Sequence, residues 1–173
     1  MKKILILLLL VAPLSMFAQS APKFGFVNFN EIIVLMPEYS AAESELAKLM
    51  QQYNDEYESV RTEFERKSLQ YEQLQDSLSE NLLKRRQEEL QNIYMRLQQI
   101  ERETPQTMQQ EQQKKFAKVA GILNDAIQAV GTEGGYVCVF DISNGTMPYV
   151  STTLCDDLNA KVKAKLGISL TAK

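Results

Sequence analysis

The sequence predicts an α+β protein, mainly α, in which a small strand-bearing body carries a long antiparallel helical hairpin of coiled-coil type. Three observations predict it. Between Pro37 and Gly121 there is no glycine and one proline, Pro105, in a stretch crowded with Glu, Gln, Lys, Arg, Leu and Ala, all good helix formers. Inside that stretch apolar residues recur at alternating steps of four and three, the 3.5-residue period of a coiled-coil seam. Short β-prone runs flank it, at residues 23–29 and 136–140.

The elements follow in chain order. Met1-Lys2-Lys3 gives a positive start, Ile4 to Val11 is an unbroken apolar run, and small residues lead to Ala18 before Gln19. That is the layout of a secretory signal peptide over residues 1–18, its apolar run shorter than the roughly 20 residues a membrane span needs. No Cys lies near the cleavage region, which disfavours a lipid anchor. The mature chain is therefore expected in the periplasm, carrying 17 basic against 22 acidic residues, a net charge of −5, once Lys2 and Lys3 are removed.

Residues 19–38 open the body, with Phe24, Phe26 and Phe29 in the near-alternation of a strand. Residues 39–130 form the hairpin. From Leu46 the seam runs through Met50, Tyr53, Tyr57, Val60, Phe64, Lys67, Tyr71, Leu74 and Leu78, broken only by Lys67. A second seam in another phase takes Leu83, Arg86, Leu90, Ile93, Leu97 and Ile100. Between them, at residues 76–81, Ser77 and Glu80 have capping-box spacing, so the chain is expected to reverse there. A turn at Pro105 would set about 65 residues against about 25. A turn near Ser77 balances roughly 38 against 50, arms of about 55–75 Å. Pro105 then falls inside the returning helix, where it removes a hydrogen bond and is expected to kink it.

Gly131 and Gly134-Gly135 are expected to end the hairpin, and residues 131–173 to complete the body. Tyr136 to Phe140 reads as a strand. Asn144-Gly145 is a strong hairpin signal, with residues 147–151 as the return strand. A last helix is expected over about residues 156–166, closed by Gly167.

Composition excludes several functions. With no His, the usual general base and the commonest zinc ligand are both missing. The mild acidity argues against nucleic acid as a partner, which would call for a basic excess. Gly131 to Gly135 follows a helix and lacks the Lys-Ser/Thr ending of a phosphate loop. No catalytic constellation remains, so no enzyme activity, cofactor or metal is expected. Cys138 and Cys155 are an even count in an oxidising compartment. They read as a possible disulfide, or Cys138 as a buried strand residue.

The hairpin's faces outside the seam are polar, and the strand-bearing part is too short to bury a large core alone. Its open strand edges invite pairing with further copies. Phe24-Gly25-Phe26-Val27-Asn28, Gly135 to Asp141, and Asp156-Asp157-Leu158 leading to Val162 and Leu166-Gly167, in this order around a long helical hairpin, resemble the Skp/OmpH-like family of periplasmic chaperones. That resemblance implies a homotrimer with a small β body and helical tentacles enclosing a cavity. It also implies an ATP-independent holdase that binds unfolded outer-membrane β-barrel proteins and prevents their aggregation. The family's better-known members are basic, whereas this chain is acidic. A structural coiled-coil spacer or tether of the cell envelope is the alternative.

Two sets of residues are candidate client contacts. Lys84-Arg85-Arg86 sits just past the reversal, suited to acidic clients or anionic lipid headgroups, or else forms a solvated face paired with Glu80, Glu88 and Glu89. Tyr94 and Met95 adjoin the seam residue Ile93, so at least one must leave the seam.

Overall fold

The structure, a computed structural model, describes residues 21–169. The signal-peptide expectation concerns residues 1–18 and lies outside them. Strand β1 (Lys23–Val27) leads into a short helix α1 (Phe29–Ile33), and two long helices follow, α2 (Pro37–Leu74) and α3 (Glu80–Gly134). Strand β2 (Tyr136–Asp141), strand β3 (Cys155–Asp157) and helix α4 (Asn159–Lys165) complete the order. Two compact units result: one holds the described residues up to Phe29 and from Asp125 onward, the other Asn30–Asn124.

In the first unit β1 is the central strand of a sheet ordered β2-β1-β3, parallel to both neighbours. The expected β-hairpin at Asn144-Gly145 does not form. The turn is there, but residues 147–151 make no strand, and the third strand is β3, on the other side of β1. The reason lies in β1. Gly25, Phe26 and Val27 are all buried, and buried backbone groups need partners on both edges. A β2 hairpin would have left one edge of β1 open. Instead β3 takes it, and Asp156 and Asp157, expected to begin the last helix, belong to that strand.

Strand ends organise the segments that follow. The Asp141 carboxylate accepts from the backbone N–H of Phe29 at 3.2 Å, holding the start of α1, and from Ser143 N–H at 2.9 Å. This is why Phe29, expected in the first strand, opens a helix. The side-chain oxygen of Asn159 accepts from Asn28 N–H at 2.8 Å, tying α4 to the end of β1. Helix α4 closes with Gly167 at φ 71°: its N–H bonds the Ala164 carbonyl at 3.1 Å and Ile168 N–H bonds Lys163 at 2.9 Å, a Schellman pair.

The core of this unit is small. Phe24 and Phe140 stack at 6.1 Å across β1 and β2, and Leu158 and Val162 are fully buried. Leu158 fills the space a side chain at Gly25 would occupy. Cys138 and Cys155 are free thiols, which corrects the possible disulfide. Both sit opposite Phe24, on either side of it. Two strand spacings, roughly 9.5 Å, exceed the roughly 4.4–6.8 Å Cα separation a disulfide spans. Nor is Cys138 a buried strand residue, since it is exposed.

In the second unit the chain reverses between Leu74 and Glu80. Ser77 does not act as the N-cap of a capping box. Its backbone N–H and its hydroxyl both donate to the Leu74 carbonyl at 2.9 Å, finishing α2. The cap position is Ser79, whose carbonyl accepts from Leu82 and Leu83 as α3 begins. Helix α3 continues without interruption through Pro105, and past Gly131 to Gly134.

Substituting Gly25 tests the packing of Leu158. An alanine Cβ there would lie 2.5 Å from Leu158 Cδ1 and 2.9 Å from Cγ. Gly25→Ala is expected to destabilise the protein by about 1–3 kcal/mol, as overpacked cores do. In thermal unfolding, the Gly25→Ala/Leu158→Ala pair should cost less than the sum of its single changes, because the second removes the clash made by the first.

Candidate functional site

The residues that face an open environment concentrate on the hairpin of the second unit. Helices α2 and α3 run antiparallel, held by a ladder of cross-helix polar ties. Glu45 pairs with Lys115 at 2.5 Å, Glu56 with Arg96 at 2.9 Å, and the Tyr57 hydroxyl donates to Glu101 at 2.8 Å. Nearer the turn Lys67 pairs with Glu89, and Gln87 donates to the Tyr71 hydroxyl at 2.7 Å. Apolar closure of the seam is uneven. Ala42, Val119 and Leu123 are buried, and Val60 and Leu97, 3% and 8% exposed, close it part-way along. From residue 61 to residue 96 no side chain is buried. Phe64, Tyr71, Leu90 and Ile93 are half-covered there, while Leu69, Leu74, Leu82, Tyr94 and Met95 are exposed.

The profile of outer membrane proteins of the OmpH-like type matches residues 23–166. The chain belongs to the OmpH-like family. A crystal structure of a candidate outer membrane chaperone (OmpH-like) from Caulobacter crescentus is similar in fold, with a TM-score of 0.69 at 19% identity, over 90% of this chain and 92% of that one. No curated protein matches the sequence.

In this OmpH-like chain the two predicted contact sets lie on the same distal segment, residues 61–96, but in different settings. Tyr94 and Met95 are both half-exposed, each at 50%, so neither is taken into the seam. The Tyr94 ring lies 6.1 Å from Phe64, tilted at 42°, giving an aromatic pair open on one side. Arg86 bonds Glu89 at 2.9 Å; Lys84 and Arg85 are exposed and make no ion pair among the described residues. The cluster is thus only partly the paired face that the neighbouring carboxylates would allow.

The periodicity passed over Leu69 and Leu82, which lie off the seam's phase as Tyr94 and Met95 do. The same reasoning applied to all apolar residues would have found them. Met50 and Leu74, counted in the seam, are exposed. Two helices without a third layer leave such flanking positions uncovered. Among the described residues no group of three or more His, Cys, Asp or Glu could hold a metal ion, and no helix is long and apolar enough to cross a membrane.

The ties shift the ionisation of their members. The hydrogen bond from Lys67, joined by one from Arg86, holds the Glu89 carboxyl below the usual carboxylate range. Lys115 does the same to Glu45, and Glu45 in turn raises Lys115. The Glu101 carboxylate, accepting from the Tyr57 hydroxyl, raises that phenol. A carboxyl with a depressed folded-state pKa stabilises the fold above its unfolded value, and the contribution is lost as pH falls through the folded value. Chemical denaturation monitored by circular dichroism should therefore show stability falling as the pH drops through and below the ordinary carboxylate range. Lys67→Met should flatten the part of that dependence due to Glu89.

Proposed function

We propose that the protein is an ATP-independent holdase of the periplasm that binds unfolded outer-membrane β-barrel proteins and prevents their aggregation. The observation that carries this reading is the distal hairpin, where aromatic and aliphatic side chains stand half-covered or exposed among charged ones over some 36 residues. Many weak, adaptable contacts of this kind suit a disordered client that must later be released. Membership of the OmpH-like family supports the reading, as does the description of the similar Caulobacter protein as a candidate outer membrane chaperone.

In this proposal the body, residues 19–38 and 131–173, assembles three copies, and the hairpin, residues 39–130, holds the client. The sheet unit supports assembly in two ways. β2 and β3 are edge strands with unpaired backbone groups, and Val137, Tyr149 and Leu154 expose large apolar side chains. The exposed Lys84 and Arg85 would add attraction to acidic client segments or anionic lipid headgroups.

Light scattering after dilution of a urea-unfolded barrel protein tests the holding activity. The mature protein should suppress aggregation without nucleotide. A variant lacking residues 69–90 should remain trimeric by sedimentation equilibrium yet suppress aggregation less well. Equal suppression by that variant would favour the spacer reading. Replacing Lys84, Arg85 and Arg86 together with Glu should weaken suppression most at low salt, because exposed charges are screened beyond roughly 10 Å at 0.1 M.

A further inference from the structure

The register of the sheet sets two thiols on one level. Cys138 of β2 and Cys155 of β3 both stand opposite Phe24, so all three side chains point to the same face. The other face is taken: Leu158 fills the room at Gly25, and Val139 lies against Gly131. Among the described residues no strand pairs with the outer edge of β2 or of β3, and all three strands run the same way. The β2 edge of one copy can therefore continue into the β3 edge of another as one more parallel pair. Repeated head to tail, such a contact closes into a ring when its rotation allows. Taken in the register already set at Phe24, it brings Cys138 of one copy beside Cys155 of the next. One step back along both segments it brings Val137, 69% exposed, beside Leu154, 79% exposed. Two pairs of matching side chains, each without a counterpart in its own chain, thus meet in a single register. Neighbouring strands lie about 4.8 Å apart, within the roughly 4.4–6.8 Å Cα separation of a disulfide. The middle strand that keeps the two thiols apart in one chain sets them level for a bond between copies.

We infer that Cys138 and Cys155 join successive copies of this chain by disulfides, so that the assembled body becomes covalently closed in an oxidising compartment. The inference rests on the assembly of copies through the sheet unit proposed above. The exposed Cys138 is the thiol that an oxidant meets first, and Cys155 of the next copy, half-buried, then resolves the mixed disulfide. In the whole step two thiols lose two protons and two electrons and one S–S bond forms. A disulfide-bearing oxidant takes them up, its own S–S bond being cleaved to two thiols. A body closed in this way holds its copies together on dilution, where edge pairing alone obeys mass action.

Incubating the mature protein with oxidised glutathione and running it on a denaturing gel without reductant tests the link. Covalent two-chain and three-chain species should appear, and should revert to one chain with dithiothreitol. Cys138→Ser and Cys155→Ser should each abolish them, since every bond takes one thiol of each kind. The two variants refolded together should regain a two-chain species. A linked pair formed by either variant alone would overturn the inference, because like thiols would then have met. So would a single chain that has lost both free thiols, which puts the bond within one copy. Val137→Ser should slow linking severalfold, and an unchanged rate would overturn the register. Sedimentation equilibrium under reducing conditions separates the link from the assembly on which it rests. A trimer that never links overturns the disulfide and leaves the assembly standing, whereas a monomer overturns both.

Discussion

Two helices packed only against each other bury one stripe apiece, and whatever lies outside those stripes meets water. The hairpin follows from this limit. Its outer faces are charged and amide-rich, since nothing else covers them. Even its seam residues are mostly half-buried, because a single facing helix screens each from one side only. The cross-helix ties of Glu45, Glu56, Tyr57, Lys67 and Tyr71 supply register where apolar burial is thin. Exposed pairs of this kind contribute little individually, so register comes from the series. The same limit leaves Tyr94 and Met95 uncovered without any strain on the fold.

The sheet unit meets the opposite problem. It has few residues with which to enclose an interior, and it solves this by making one strand serve twice. β1 is paired along both edges and sets Gly25 against Leu158, whose side chain occupies the room left by that glycine. Asp141 at the end of β2 and Asn159 at the start of α4 then take up the backbone N–H groups that would otherwise be left over as the chain leaves β1.

The helices were legible because their signal is long and repeated: ninety residues nearly free of glycine and a sustained 3.5-residue period. Their reversal near Ser77 was legible too, but Ser77 serves the end of α2 and not the start of α3, a choice made by hydroxyl geometry that spacing alone does not encode. The sheet was harder to read. Tyr136 to Phe140 announced a strand by composition, and Asn144-Gly145 announced a turn, yet neither says which edge of which strand will be filled. That depends on β1 being buried on both sides, a property of the assembled unit. Once β3 had crossed to the far edge, Cys138 and Cys155 were separated by a whole strand. On the candidate site, Tyr94 and Met95 could be picked out by phase, whereas the thin burial along most of the seam needed the side-chain exposures themselves.

The placement of β1 also fixes an order of events during folding. A ribosome delivers this strand first, but its partners are Tyr136 to Asp141 and Cys155 to Asp157, so Phe24 must wait for a residue 131 positions later. Pairings of such long sequence separation carry a large loop-closure cost and form slowly. The intervening helices need only their own turns and each other, and can form in the meantime. By bringing the two ends of the loop towards each other, the hairpin shortens the search that β1 must make. The most polar part of the molecule is thereby the guide for its least polar strand.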